Sequence, residues 1–155
     1  MCGIFFLKDK NNINEEQKTN CLNAIKLLNH RGPDNSEIIF RNKFAVGHTR
    51  LSIIDLSEKS NQPFFDKELN TFFVINGEVV NYKLLAKKYN IKQNEYGSDS
   101  DVVFKLFNKY GLKKIINELE GMFAGIFIDN KKDKAYIFRD RFGIKPLYYF
   151  KTNEL

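Results

Sequence analysis

The sequence predicts an α+β protein, and three observations carry that reading. Strand-like runs occur in clusters interrupted by helical stretches, instead of alternating one for one as in a parallel sheet. Two pairs of these runs flank short polar turns, at Arg41-Asn42-Lys43 and at Asn130-Lys131-Lys132-Asp133, as hairpins do. The helical stretches repeat their apolar residues at three- and four-residue spacing. A chain of 155 residues, 43% hydrophobic and with 15 Phe, amounts to about one domain and can bury a real core. Its 3 Pro and 9 Gly argue against a disordered or low-complexity chain.

Taken in order, residues 3–8 read as a buried strand and residues 9–14 as a polar turn. Residues 15–28 place Leu22, Ile25 and Leu28 on one helical face, with Cys21 and Ala24 alongside. That helix stops in the turn-rich stretch Asn29-His30-Arg31-Gly32-Pro33-Asp34. Residues 36–40 and 44–48 form the first hairpin, and residues 51–55 follow as a short strand or a structured loop. Residues 71–75 are strongly β-prone and end at Asn76-Gly77. Such a pair usually marks a hairpin turn, but residues 78–82 read as the start of a helix, and residues 81–89 as a short one. Gly97-Ser98-Asp99-Ser100 supplies N-cap chemistry for a helix over 101–110 that turns Val102, Val103, Leu106 and Phe107 inward. Residues 113–119 continue as helix until Gly121. The second hairpin spans 123–129 and 134–139, and residues 147–150 begin one more strand.

The formal net charge of +6 raises the question of nucleic acid. The lysines are dispersed, however, and local pairs such as Lys87-Lys88 are interleaved with acids, which favours a solvated surface over a binding stripe. No apolar run approaches a membrane span, and no charged-then-apolar secretory signal is readable at the N-terminus. Two cysteines make no disulfide framework, and no Cys or His spacing resembles a zinc site. The expectations are no nucleic acid, no membrane, no metal and a reducing, cytoplasmic location.

Cys2 follows the initiator methionine directly. Removal of Met1 leaves a thiol and a free α-amine on one residue, and the amine can serve as the base that activates the thiol. Their unperturbed pKa values, about 7.7–8.0 and about 8.5, suit that exchange. Four separated segments then matter together: Met1-Cys2-Gly3-Ile4-Phe5, His30-Arg31-Gly32-Pro33-Asp34, Gly47-His48-Thr49-Arg50-Leu51-Ser52-Ile53-Ile54-Asp55, and Ile75-Asn76-Gly77-Glu78, backed by Gly97-Ser98-Asp99. The set resembles the glutamine amidotransferase domain of the N-terminal-nucleophile hydrolases, most closely the amino-terminal half of asparagine synthetases. Leu119-Glu120-Gly121-Met122-Phe123-Ala124 and Arg139-Asp140-Arg141-Phe142-Gly143-Ile144-Lys145-Pro146 agree with it, so the likeness runs from end to end.

The resemblance implies a four-layer αββα sandwich, with Cys2 as nucleophile and Asn76 and Gly77 at the oxyanion hole. It also implies a glutamine pocket formed by Arg50, Leu51, Ser52, Ile53, Ile54, Glu78 and Asp99. The residue chemistry is compatible with those roles. An arginine can grip an α-carboxylate through paired N–H bonds, and an aspartate can accept from an α-ammonium. A glycine N–H can approach an oxyanion closely for want of a Cβ. His30 is expected to organise its loop with Arg31 and Asp34, His48 to support the strand carrying Arg50, and Cys21 to lie in the core. The implied reaction is hydrolysis of L-glutamine, with ammonia passing to an ATP-dependent synthetase that acts on aspartate and with no cofactor in this domain. Two alternatives stay open: an amidotransferase serving a sugar or phosphoribosyl acceptor, and a non-catalytic glutamine-binding or regulatory module. The sequence holds no Ser-Gly-Gly-rich pyrophosphate loop and no Gly-Lys-Ser/Thr phosphate loop. The expectation is therefore one amidotransferase domain over 1–155, lacking its last strand, with the synthetase domain absent. It is expected to be either a truncated fragment or one subunit that delivers ammonia to a partner chain, and the sheet edge left by the missing strand would favour a partner or self-association.

Overall fold

The computed structural model describes residues 1–52 and 57–152. Among the described residues, seven strands and four α-helices follow in chain order. They are β1 (Gly3–Lys8), α1 (Glu15–Leu27), β2 (Asn35–Arg41), β3 (Phe44–Arg50), β4 (Phe64–Asp66), β5 (Thr71–Val79), α2 (Tyr82–Lys88), α3 (Asp99–Tyr110), α4 (Leu112–Ile115), β6 (Gly121–Asp129) and β7 (Lys134–Arg139). They build two antiparallel sheets, β1-β3-β2 and β4-β5-β6-β7.

Side-chain alternation stacks the layers. In β3, Ala45 packs with Cys21 of α1 and with Phe5, Leu7, Ile38 and Phe40. Its neighbours Phe44 and Val46 point the other way and meet Phe72, Val74, Ile126 and Ile128 of the second sheet, with Ile4, Phe6 and Ile39 around them. The far face of the second sheet carries Phe73, Ile75, Phe123, Phe127 and Phe138, which pack on Val102, Val103, Leu106 and Phe107 of α3 and on Leu85 and Ala86 of α2. Each such side chain contributes about 1.5–3 kcal/mol on burial. The order is α1, first sheet, second sheet, then α2 and α3: the four-layer sandwich. No helix among the described residues is long and apolar enough to cross a membrane.

Local chemistry fixes the helix starts. The Asn14 side chain accepts from the Gln17 N–H at 2.8 Å while the Gln17 side chain accepts from the Asn14 N–H at 2.9 Å, a reciprocal cap. Ser98 caps α3 by accepting from the Asp101 N–H.

Several expectations need correction. Residues 78–79 continue β5 instead of opening a helix, so Asn76-Gly77 lies within a strand paired to β6, Gly77 opposite Phe123. Helix α3 begins at Asp99, inside its Ser98 cap, not at residue 101. The helix expected over 113–119 is one turn of α-helix followed by a 3-10 turn over Ile116–Glu118. Residues 147–150 form no strand, because no backbone among the described residues pairs with them, and Tyr148, Tyr149 and Phe150 are exposed. Strand β4 was not foreseen; three residues at a sheet edge leave too short a pattern. Of the expected strand or loop over 51–55, residues 53–55 lie outside the described residues, and with them Ile53 and Ile54, which were expected in the glutamine pocket.

Candidate active site

The layer between the sheets changes character along its length. On the inward face of β3, Phe44 and Val46 are followed by His48 and Arg50; on that of β5, Phe72 and Val74 are followed by Asn76. The apolar core ends where these polar side chains begin, and a cavity of about 220 Å³ opens there. Cys2, His48, Arg50, Leu51, Gln62, Asn76, Gly77, Glu78, Ser98, Asp99, Met122 and Lys145 are among the residues that line it.

Cys2 is half-buried at the start of β1. Its sulfur lies 3.4 Å from the Leu51 nitrogen, whose N–H donates to it, and 3.9 Å from the Leu51 carbonyl oxygen. The main chain around it is held on three sides. The Gly3 N–H donates to the Thr49 hydroxyl at 3.0 Å, and that hydroxyl donates to the Leu28 carbonyl at 3.1 Å, tying β1, β3 and the end of α1 together. Arg31 Nε donates to the Cys2 carbonyl at 3.1 Å. Asp34 accepts from the Ser52 N–H at 2.7 Å, while its own N–H donates to the Arg50 carbonyl at 3.0 Å. The 29–34 stretch is thus a clamp on the backbone around Cys2. His30 sits outside it, exposed, with Nδ1 2.8 Å from the Leu27 carbonyl oxygen.

Across the cavity, Asn76 is buried in β5 beside Gly77, whose φ of +137° belongs to glycine's territory. A Cβ at Gly77 would sit 2.0 Å from the Met122 carbonyl oxygen, so β5 and β6 approach here as only a glycine permits. Asp99 is buried on the first turn of α3, where the helix dipole favours a carboxylate. It accepts from the Val79 N–H at 2.8 Å and from the Ser100 hydroxyl at 3.2 Å, which fixes the carboxylate while leaving lone pairs on both oxygens. Arg50 is buried, and its Nη1 donates to the Ser57 carbonyl at 2.8 Å and the Asn61 side-chain oxygen at 2.6 Å. Those contacts orient the guanidinium on the cavity wall.

His48 is buried in β3, the strand that carries Arg50, as expected of a strand support. It also lines the cavity while only about 1% exposed, a position that sequence reasoning did not give it. Neither ring nitrogen makes a hydrogen bond of acceptable geometry. Burial pushes its pKa down to about 4; the nearby Ile75 carbonyl favours the cation and the Arg50 charge disfavours it. The ring is neutral at physiological pH. Its position two residues before Arg50, hence on the same strand face, was the available signal. Gln62, also missed, accepts from the Ile75 N–H at 2.7 Å. Cys21 is buried under sheet one, as expected, and burial raises its thiol pKa. Among the described residues no three His, Cys, Asp or Glu side chains converge as a metal site would require.

A thiol, a buried amide and glycine, an arginine and a carboxylate thus face one small cavity. They suit capture of a zwitterion at one end and attack on a carbonyl at the other. Asparagine synthetase B (glutamine-hydrolysing) of Escherichia coli is 35% identical, over 96% of this chain and 26% of that protein. Amidase chry2 of Gibberella zeae is 39% identical, over 91% of this chain and 21% of that protein. The chain therefore spans roughly a quarter of the length of these curated relatives. Among solved structures, a glutamine phosphoribosylpyrophosphate amidotransferase from B. subtilis, complexed with ADP and GMP, superposes with a TM-score of 0.66 at 18% identity. That match covers 83% of this chain and 35% of that one, and it shows the shared fold. The family model for the glutamine amidotransferase domain matches residues 1–155, and the chain belongs to that family.

Proposed function

We propose that this domain hydrolyses L-glutamine to glutamate and ammonia, with Cys2 as nucleophile once Met1 has been removed. The observation that carries the reading is the single cavity onto which Cys2, Asn76, Gly77, Arg50 and Asp99 converge. The α-amine of Cys2 takes the thiol proton, and the sulfur attacks the side-chain amide carbon. The carbonyl π pair moves to oxygen, where the Asn76 amide and the Gly77 N–H stabilise the charge. Collapse breaks the C–N bond as the departing nitrogen takes the proton held by the α-amine, giving ammonia and a γ-glutamyl thioester. Water, deprotonated by the same amine, attacks the thioester; the C–S bond breaks and glutamate leaves. Arg50 holds the substrate α-carboxylate and Asp99 its α-ammonium, and main-chain groups near Leu51, Ser52 and Glu78 complete the pocket.

The ammonia acceptor is aspartate, activated by ATP on a synthetase domain or subunit in the cytoplasm. Support comes from the name of the Escherichia coli relative, while the fungal amidase keeps a different acceptor as the second reading. The domain itself needs no metal or cofactor for this chemistry. The test is ammonia release from glutamine by protein with a verified Cys2 terminus. Cys2→Ala should lose all turnover and retain the wild-type melting transition. Full turnover by Cys2→Ala would falsify the assignment.

A further inference from the structure

A buried imidazole without a well-made hydrogen bond is costly, about 1–3 kcal/mol for each unsatisfied group. The ring nitrogens of His48 have only the Ile75 carbonyl nearby, in a geometry short of a hydrogen bond. Besides Asn35 Oδ1, the two ring nitrogens of His48 are the fully buried side-chain polar atoms without a partner among the described residues. The neighbouring Gln62 is already committed to the Ile75 N–H, and Thr49, on the opposite face of β3, to Gly3 and Leu28. His48 lies on the same inward face as Arg50 and lines the cavity with Cys2 and Asn76.

The substrate has a matching need. Its reacting amide carries an oxygen that wants donors, supplied by Asn76 and Gly77, and an –NH2 group that wants acceptors. We propose that His48 is a further catalytic residue: one ring nitrogen accepts a hydrogen bond from the side-chain –NH2 of glutamine and keeps that contact as the nitrogen becomes ammonia. This rests on the glutaminase reading above.

Acceptance requires a neutral ring. Burial provides it, with the Arg50 charge on the same strand disfavouring the cation and the Ile75 carbonyl of the facing sheet opposing that in part. The contact orients the amide so that its nitrogen, not its oxygen, points away from the oxyanion donors. An amide flipped end for end would place –NH2 against the donors of Asn76 and Gly77 and leave the ring nitrogen facing a carbonyl. The same contact gives the site a means of preferring an amide over an ester.

Two substrates separate this role from a structural one: L-glutamine and the γ-methyl ester of L-glutamate, whose leaving group has no N–H to donate. His48→Leu should lower kcat/KM for glutamine about tenfold, the worth of one neutral hydrogen bond, and leave ester hydrolysis within about twofold. His48→Gln, which keeps an acceptor, should recover most of the glutamine activity. A second measurement does not depend on these variants folding. In Cys2→Ala protein labelled with ¹⁵N-histidine, the ring signals of His48 should shift on adding L-glutamine and stay in place with the ester, while exposed His30 serves as internal control. Equal losses on both substrates, or a His48 signal indifferent to glutamine, overturn the proposal. Wild-type protein that hydrolyses neither substrate would instead sink the glutaminase reading itself, a distinguishable failure.

Discussion

Replacing Gly77 by alanine should cost far more than its single added methyl group suggests. The new Cβ would lie 2.0 Å from the Met122 carbonyl oxygen, 2.6 Å from Phe123 Cα and 2.9 Å from the Met122 carbonyl carbon, all backbone atoms that cannot swing aside. The φ of +137° adds strain of about 1–3 kcal/mol for an L side chain. Relieving the crowding costs about 1–3 kcal/mol more. A total of about 2–6 kcal/mol is a large share of the roughly 5–15 kcal/mol that holds a domain together. Gly111 is the natural control: its φ is +84°, yet nothing lies within 4 Å of a Cβ there, so Gly111→Ala should show the backbone strain alone. Urea unfolding of both variants at fixed pH measures the difference, which is the crowding contribution. The Gly77 variant should also lose about 10²-fold in glutaminase turnover even where it stays folded, because a shift of about 1 Å at residue 77 carries Asn76 away from Cys2. Equal destabilisation by the two substitutions would show that β5 and β6 part freely, and the argument for a required glycine would be wrong.

Three other outcomes are expected. His48 binds its proton in the unfolded chain near pH 6.5 and in the folded protein only near pH 4. Stability is therefore fully present above pH 6.5 and lost as pH falls towards 4, by about 2 kcal/mol at pH 5; His48→Leu should flatten that slope in urea titrations at pH 7.5 and 5. Arg50→Lys and Asp99→Asn should mainly raise the KM for glutamine, whereas Asn76→Ala should mainly lower kcat, by about 10²–10³; a raised KM with unchanged kcat for Asn76→Ala would remove it from the oxyanion hole. Burial opposes ionisation of Asp140, but the N–H groups of Ile144, Lys145, Phe123 and Phe142 outweigh it and hold the carboxyl below its ordinary range. Its contribution is lost as pH falls below that range, and Asp140→Asn should lower the urea midpoint by the equivalent of about 1–3 kcal/mol.

What the sequence disclosed depended on how local the signal was. The hairpins at residues 35–50 and 121–139 were legible because alternation and a polar turn lie within one short window. The run 147–150 shows the converse: aromatic residues alone do not make a strand without a backbone to pair with. At Asn76-Gly77 a strong turn signal met a tertiary constraint and lost, since β6 captures the chain through Val79. The site was harder still. Cys2 and Asn76 are 74 positions apart, and only the recognised set of motifs brought them together. Yet one physical trace was present in single strands. The inward face of β3 reads Phe44, Val46, His48, Arg50, and that of β5 reads Phe72, Val74, Asn76. Both change from apolar to polar partway along. Two facing sheets cannot bury such polar side chains against an apolar layer without partners. The change therefore marks where the sandwich must open to something that supplies those partners, and in this molecule it coincides with the cavity beside Cys2.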